Sequence, residues 1–378
     1  MSEPVYINRV SSFLPNEPVG NDEMEEYLGV VNGTPSRVRP IILRQNRIMT
    51  RYYALDKEQN ITHTNADLSK IAIDKLGLSH EELENVKFLS CGTSMPDQLM
   101  PSHASMVHGL AFDHPIEIAS LAGVCMSGLM ALKTAYMSIK SGNSSNAICT
   151  ASELISPTML SKFFNEEIYH RELIEEKPYI AFEKDFLRFM LSDGAAALYL
   201  SDKIESNRSL KVEWIKTYSY ANMQPACMYM WADKEENGEL MGWKTFAANE
   251  MAERSIWSLK QDVRQLNEYA VSYFTNAVES SLEETNTSCE NITYFIPHIS
   301  SMYFYNRLDA EFQNRGINLP TSKWFTNLTT VGNMGSASPF IALEEFIRTH
   351  NPQKGDKILL FVPESGRFSC GTALLTVM

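Results

Sequence analysis

The sequence predicts a layered α/β protein built from two similar halves. Three observations carry that expectation. An amphipathic helix, a polar connection and an apolar strand follow one another twice; each such strand is followed by a small-residue turn that opens a second helix and strand; and the strands are continuous apolar runs, as expected for strands covered on both faces.

In the first half, Ala66, Leu68, Ile71, Ala72, Ile73 and Leu76 recur at helical spacing over residues 65–76, and residues 81–86 lead into a strand at Lys87-Phe88-Leu89-Ser90-Cys91. The turn Gly123-Val124-Cys125-Met126-Ser127-Gly128 then opens a helix whose apolar face is Leu129, Met130, Leu132, Ala135, Tyr136 and Ile139. Ser141-Gly142-Asn143 stops it before a strand over residues 146–151. The second half repeats the pattern. A helix over residues 266–282 leads to a strand ending in Pro297-His298, and Gly332-Asn333 precedes a helix carrying Phe340, Ile341, Leu343, Phe346 and Ile347 and a strand at Lys357 to Val362. The division falls at residues 1–200 and 201–378. Two excursions break the symmetry, at residues 156–190 and 218–247. Their aromatic and methionine side chains suit either ordinary packing or a pocket for a flexible acyl chain.

Composition narrows the function. With 44% hydrophobic and 21% charged residues, the 378-residue chain is of ordinary globular type. No apolar run approaches the roughly 18 residues of a membrane span, and a cytosolic protein is expected. A net charge of −13 disfavours nucleic acid. The six cysteines are scattered without metal-site spacing, so free thiols and no metal are expected. Arg37, Arg39, Arg44, Arg47 and Arg51 form a basic segment, read either as a docking patch for an acidic carrier protein or cofactor phosphate, or as a solvated loop with ion pairs.

Cys125 is the candidate nucleophile, because a thiol at the first turn of a helix meets free N–H groups and the positive end of the helix dipole. His298 at a strand end and Asn333 in a small-residue turn supply an imidazole and a carboxamide. Converging on the sulfur, they would hold a thioester carbonyl and stabilise the enolate beside it. Singly, each of the three also fits a structural role. Together they outline a site where the halves meet.

These residues, with Ser192-Asp193-Gly194-Ala195-Ala196-Ala197, Ser336-Ala337-Ser338 and the terminal Gly366-Arg367-Phe368-Ser369-Cys370-Gly371-Thr372-Ala373, resemble the thiolase-fold condensing enzymes over nearly the whole chain. The likeness is to the beta-ketoacyl-ACP synthase III type. It implies a thiolase-like fold, two duplicated halves in an α/β/α/β/α layering, and Claisen condensation through a Cys125 acyl-enzyme. His298 and Asn333 would act on the second thioester, and the N–H groups of Cys125 and Gly366 would form an oxyanion hole. It further implies acyl carrier protein or CoA thioesters as substrates, no separate cofactor, and a homodimer.

A narrower resemblance lies in Tyr6-Ile7, Ser12-Phe13-Leu14-Pro15-Asn16, residues 21–29 and Arg51-Tyr52-Tyr53-Ala54. These look like the ketosynthase/cyclases that make cyclohexanedione precursors of dialkylresorcinols or stilbenes, in which Glu153 would be the acid/base for ring closure. An ordinary beta-ketoacyl-ACP synthase III and a silent partner subunit are the alternatives; the second would normally lack one of the three site residues. The chain departs from the synthase pattern in three places. No tryptophan stands ahead of the arginine segment to stack on the adenine of CoA, which favours a carrier protein as donor. Ile299-Ser300-Ser301 replaces Gln-Ala-Asn after the histidine, and Ser365-Gly366-Arg367 replaces a run of three glycines.

Overall fold

The computed structural model describes residues 3–33, 35–164, 185–235 and 237–378. Nine strands form its main sheet: β1 (Tyr6–Phe13), β2 (Phe88–Thr93), β3 (Glu117–Ala122), β4 (Asn146–Glu153), β5 (Gly194–Ser201), β6 (Leu210–Ser219), β7 (Tyr294–Pro297), β8 (Lys357–Glu364) and β9 (Ser369–Val377). Six helices matter for the site: α1 (Asn65–Asp74), α2 (His103–Ala111), α3 (Met126–Lys140), α4 (Val263–Glu284), α5 (Tyr305–Asn314) and α6 (Ser338–His350).

The strand order β7-β8-β9-β6-β1-β5-β4-β2-β3 contains the duplication. Read outward from the centre, β1-β5-β4-β2 and β6-β9-β8-β7 both pair antiparallel, antiparallel, then parallel. The two sets meet at a short antiparallel seam, Tyr6 with Lys211 and Ile7 with Leu210. Strand β3 extends the first set alone and leaves an open outer edge.

Strand periodicity explains the layering, since successive side chains point to opposite faces. On β8, Ile358, Leu360 and Val362 enter a central core while Leu359 and Phe361 enter an outer one. On β5, Ala196, Leu198 and Leu200 join the same central core, and Ala195, Ala197 and Tyr199 face the opposite outer core. Helices α3 and α6 fill the centre, α4 and α5 cover the second set of strands, and α1 and α2 cover the first. This is the expected α/β/α/β/α layering, and it accounts for the uninterrupted apolar strands.

The predicted elements fall close to those observed. Helix α1 begins two residues after His63, because Thr64 accepts from the Asp67 N–H and Asp67 reaches back to the Thr64 N–H. Helix α4 extends the predicted 266–282 by about a turn, with Asp262 accepting the Gln265 N–H at 2.9 Å. In the excursion at 156–190, residues 165–184, which include most of its aromatic and charged stretch at 163–170, lie outside the described residues.

Helix α3 must come close to its neighbours. A Cβ placed on Gly128 would lie 2.3 Å from the Ser336 carbonyl oxygen and 2.9 Å from the Ala151 Cβ. Only a residue without a side chain lets the helix reach that turn. Gly128→Ala is therefore expected to lower unfolding free energy by about 1–3 kcal/mol, measured by urea denaturation, and unchanged stability would show that the contact yields freely.

Candidate active site

Cys125 sits immediately ahead of α3 with helical φ and ψ of −60° and −30°. The Ser127 hydroxyl and N–H both donate to the Val124 carbonyl, which tightens the turn. The sulfur is buried at the junction of two cavities. A larger one of about 220 Å³ also receives Asn333, Glu153 and Gly335, and a small one of about 30 Å³ also receives His298. Leu266, Ser300 and Ser365 line both.

His298 follows β7, and its backbone N–H donates to the Phe361 carbonyl on β8 at 2.7 Å, so the imidazole is carried by the sheet. Burial pushes it down to about 4, leaving a neutral ring. Its Nε2 is buried without a hydrogen-bond partner among the described residues. A buried polar atom left open in this way is completed by water or by a bound carbonyl.

Asn333 is held from several sides. Its N–H donates to the Met190 carbonyl, its own carbonyl accepts from Ser192, and its side-chain Oδ1 accepts the Gly335 N–H at 3.0 Å. With Oδ1 engaged, the amide NH2 is the end left for the cavity that Asn333 lines.

Glu153 ends β4 and accepts from the Ser94 N–H, the Ser94 hydroxyl at 2.6 Å and the Ser336 N–H at 3.0 Å. Burial raises its carboxyl to about 6 against those hydrogen bonds. Gly335 makes the approach possible. Its φ is +47°, and a Cβ there would stand 2.9 Å from Glu153 Oε1.

A thiol therefore stands between two largely apolar cavities, the larger also lined by an amide donor and a buried carboxyl and the smaller by a neutral imidazole. Residues 282–377 match the family model of the 3-oxoacyl-[acyl-carrier-protein] synthase III C-terminal region. The beta-ketoacyl-[acyl-carrier-protein] synthase III of Clostridium beijerinckii is 24% identical over 372 residues, covering 98% of each chain. That of Aquifex aeolicus is 22% identical over 321 residues, covering 84% of this chain and 85% of its own. Among solved structures, the tetronic acid condensing enzyme AbyA1 superposes with a TM-score of 0.74 at 20% identity, over 98% of this chain and 99% of its own. Xanthomonas campestris OleA with bound lauric acid and lauroyl-CoA superposes with 0.74 at 17%, over all of both chains. The chain has the thiolase-like fold of these solved structures.

The basic segment is not one patch. Arg37, Arg44 and Arg47 are exposed, whereas Arg39 is half-buried and paired with Glu25 at 2.6 Å. Arg51 is fully buried and donates to Asn21 Oδ1, because pairing of Thr50–Arg51 with Val19–Gly20 turns its side chain inward. The expectation that Arg51 belongs to a docking surface is thus corrected.

Gly366 is buried, and its carbonyl accepts from Cys227 and Met228. The residue of that turn lining both cavities is Ser365. The excursion at 218–247 brings Met228, Tyr229 and Met230 to the larger cavity and leaves Trp231 and Trp243 exposed, their rings in a T-shaped contact.

Sequence reasoning missed Glu364. It ends β8, is 8% exposed, and one oxygen accepts both the Val124 and the Met126 N–H at 2.9 Å. An acidic residue closing the apolar run from Ile358 to Val362 was the available signal. Burial, then Glu364, then Glu153 raise the Cys125 thiol well above its ordinary value; its own N–H acts weakly the other way. The thiolate expected from the helix start is therefore opposed in the resting protein.

The buried acids and bases predict a pH signature. Folding lowers His298 from 6.5 to about 4, so the unfolded chain takes up that proton first and stability falls as pH drops through this window. Glu153 is raised from 4.5 to about 6 and acts in the opposite sense, adding stability as pH falls. Urea unfolding between pH 6.5 and 4.5 should show a smaller loss in His298→Gln and a larger one in Glu153→Gln, each by at most about 1.4 kcal/mol per pH unit.

Proposed function

We propose that Cys125 takes an acyl group from a carrier-protein or CoA thioester and that the enzyme joins it, by Claisen condensation, to a second acyl thioester held by His298 and Asn333. Cys125 lies where the cavity of His298 meets the cavity of Asn333 and Glu153, and this shared position carries the reading. Attack of the thiol on the first thioester forms the acyl-enzyme and releases the carrier thiol. Loss of a proton or of carbon dioxide from the α-carbon of the second thioester gives an enolate whose oxygen carries the negative charge, and the open Nε2 of His298 and the amide of Asn333 are the groups available to stabilise it. The α-carbon then attacks the acyl-enzyme carbonyl, and the Cys125 C–S bond breaks to return the thiol and release the condensed product.

The larger cavity is walled by Met95, Met190, Met228 and Met230, whose flexible thioethers suit an aliphatic chain. Glu153 lies in that same space, with a carboxyl able to exchange a proton near neutral pH. This supports ring closure after condensation, to a cyclohexanedione of the dialkylresorcinol-precursor type. The second reading is an ordinary beta-ketoacyl-ACP synthase III, favoured by the names of the relatives and by the hydrogen bonds that give Glu153 a purely structural use.

Arg37, Arg44 and Arg47 are the exposed cations for an acidic carrier protein; the helix Arg39–Asn46 packs against the turn Met302–Phe304, whose last residue lines the small cavity. The open edge of β3 and the exposed Leu99 and Met100 support a homodimer.

Intact-mass measurement with a panel of acyl thioesters should give an adduct in the native enzyme and none in Cys125→Ala. Acylation of another cysteine would overturn the assignment. With two substrates supplied, Glu153→Gln should keep the adduct and release open-chain or lactone product with about a hundredfold less ring; unchanged ring yield would reduce Glu153 to scaffold, and open-chain product from the native enzyme would favour the second reading.

A further inference from the structure

The N–H groups on either side of the nucleophile are already occupied. Glu364 comes from the end of β8 in the second half, crosses to the turn that opens α3 in the first half, and takes both the Val124 and the Met126 N–H on one oxygen at 2.9 Å. Its other oxygen faces the Gly366 turn, where a Cβ on Gly366 would lie 3.5 Å from it and 3.1 Å from a Val124 methyl. Glu364 lines neither cavity that holds Cys125. It is therefore placed to act on the nucleophile from behind, without touching substrate.

We propose that Glu364 is a positioning residue for Cys125, a buried carboxylate that clamps the Val124–Met126 turn and, by its charge, holds the sulfur as a thiol until an acyl thioester is bound. Two physical effects follow from one group. Sharing an oxygen between two N–H groups fixes the backbone on both sides of Cys125, so the sulfur's direction is set by strand β8. A carboxylate at the helix start also satisfies the positive end of α3 that a thiolate would otherwise use. The resting sulfur is thereby kept weakly nucleophilic, which limits alkylation and oxidation of the unloaded enzyme.

The ionisable groups facing Cys125 are Glu364, Glu153 and, across the small cavity, His298; Cys370, two residues into β9, faces Glu364. His298 is neutral above about pH 4 and so does not contribute charge in the range where the thiol reacts. The charge that opposes the thiolate comes from the two glutamates.

The inference rests on Cys125 being the nucleophile, and its test reads the thiol directly. Alkylation of Cys125 by iodoacetamide, followed by peptide mass against pH, should show Glu364→Gln reacting at least tenfold faster at neutral pH with its midpoint moved lower, since the amide oxygen still accepts N–H groups but carries no charge. Glu364→Asp, which keeps the charge, should stay near the native profile. A folded Glu364→Gln with the native profile would overturn the proposal, as would equal acceleration in both variants, which would assign the effect to packing. Should Glu364→Gln fail to fold, Glu364→Ser takes its place as the neutral variant, acceleration beyond that of Glu364→Asp supporting the proposal and a native profile overturning it. Failure of acyl loading with an intact alkylation response would instead count against the condensing assignment of Cys125.

Discussion

Close approach at the start of helix α3 is the constraint on which the site depends. The helix reaches the turn at residues 335–337 because Gly128 presents no side chain to the Ser336 carbonyl, and that turn in turn reaches Glu153 because Gly335 presents none. Relaxing either contact would move the thiol from one half relative to the amide from the other. Dense packing makes such displacements costly, so the geometry is held by the core and not by the site residues themselves.

Two buried carboxylates flank the same sulfur and have been given different surroundings. Glu153 is bound by donors from Ser94 and Ser336 while facing the cavity, and Glu364 is bound by the nucleophile's own turn and faces away from it. In the proposed reading the first would exchange a proton with a bound molecule, and the second would govern the protein's own thiol. Each ends a strand, where the sheet delivers a side chain rigidly and then leaves it clear of the next pleat.

Much of this was legible from the residues alone. Helical spacing located α1, α3, α4 and α6, continuous apolar runs located the covered strands, and the Cys125, His298 and Asn333 turns line two cavities that share Cys125. What escaped notice was the direction of individual polar side chains. Arg51 lies among four other arginines in the sequence, yet one strand pairing sends it inward while Arg37, Arg44 and Arg47 stay outside. Glu364 reads as the polar end of a strand, and only tertiary structure shows that it crosses to the turn of Cys125. Gly366 was matched by resemblance, but the packing behind it depends on hydrogen bonds from Cys227 and Met228 in the excursion at 218–247.

The placement of β9 has a consequence for how the polypeptide acquires its structure. This strand follows the other eight in the chain, yet it lies inside the sheet between β8 and β6. During synthesis, β6 therefore keeps an unpaired edge until the antiparallel pair β8–β9, joined through residues 365–368, arrives and β9 joins it. Such late closure of a sheet interior makes folding slow and leaves growing chains prone to association, a natural point for chaperone assistance.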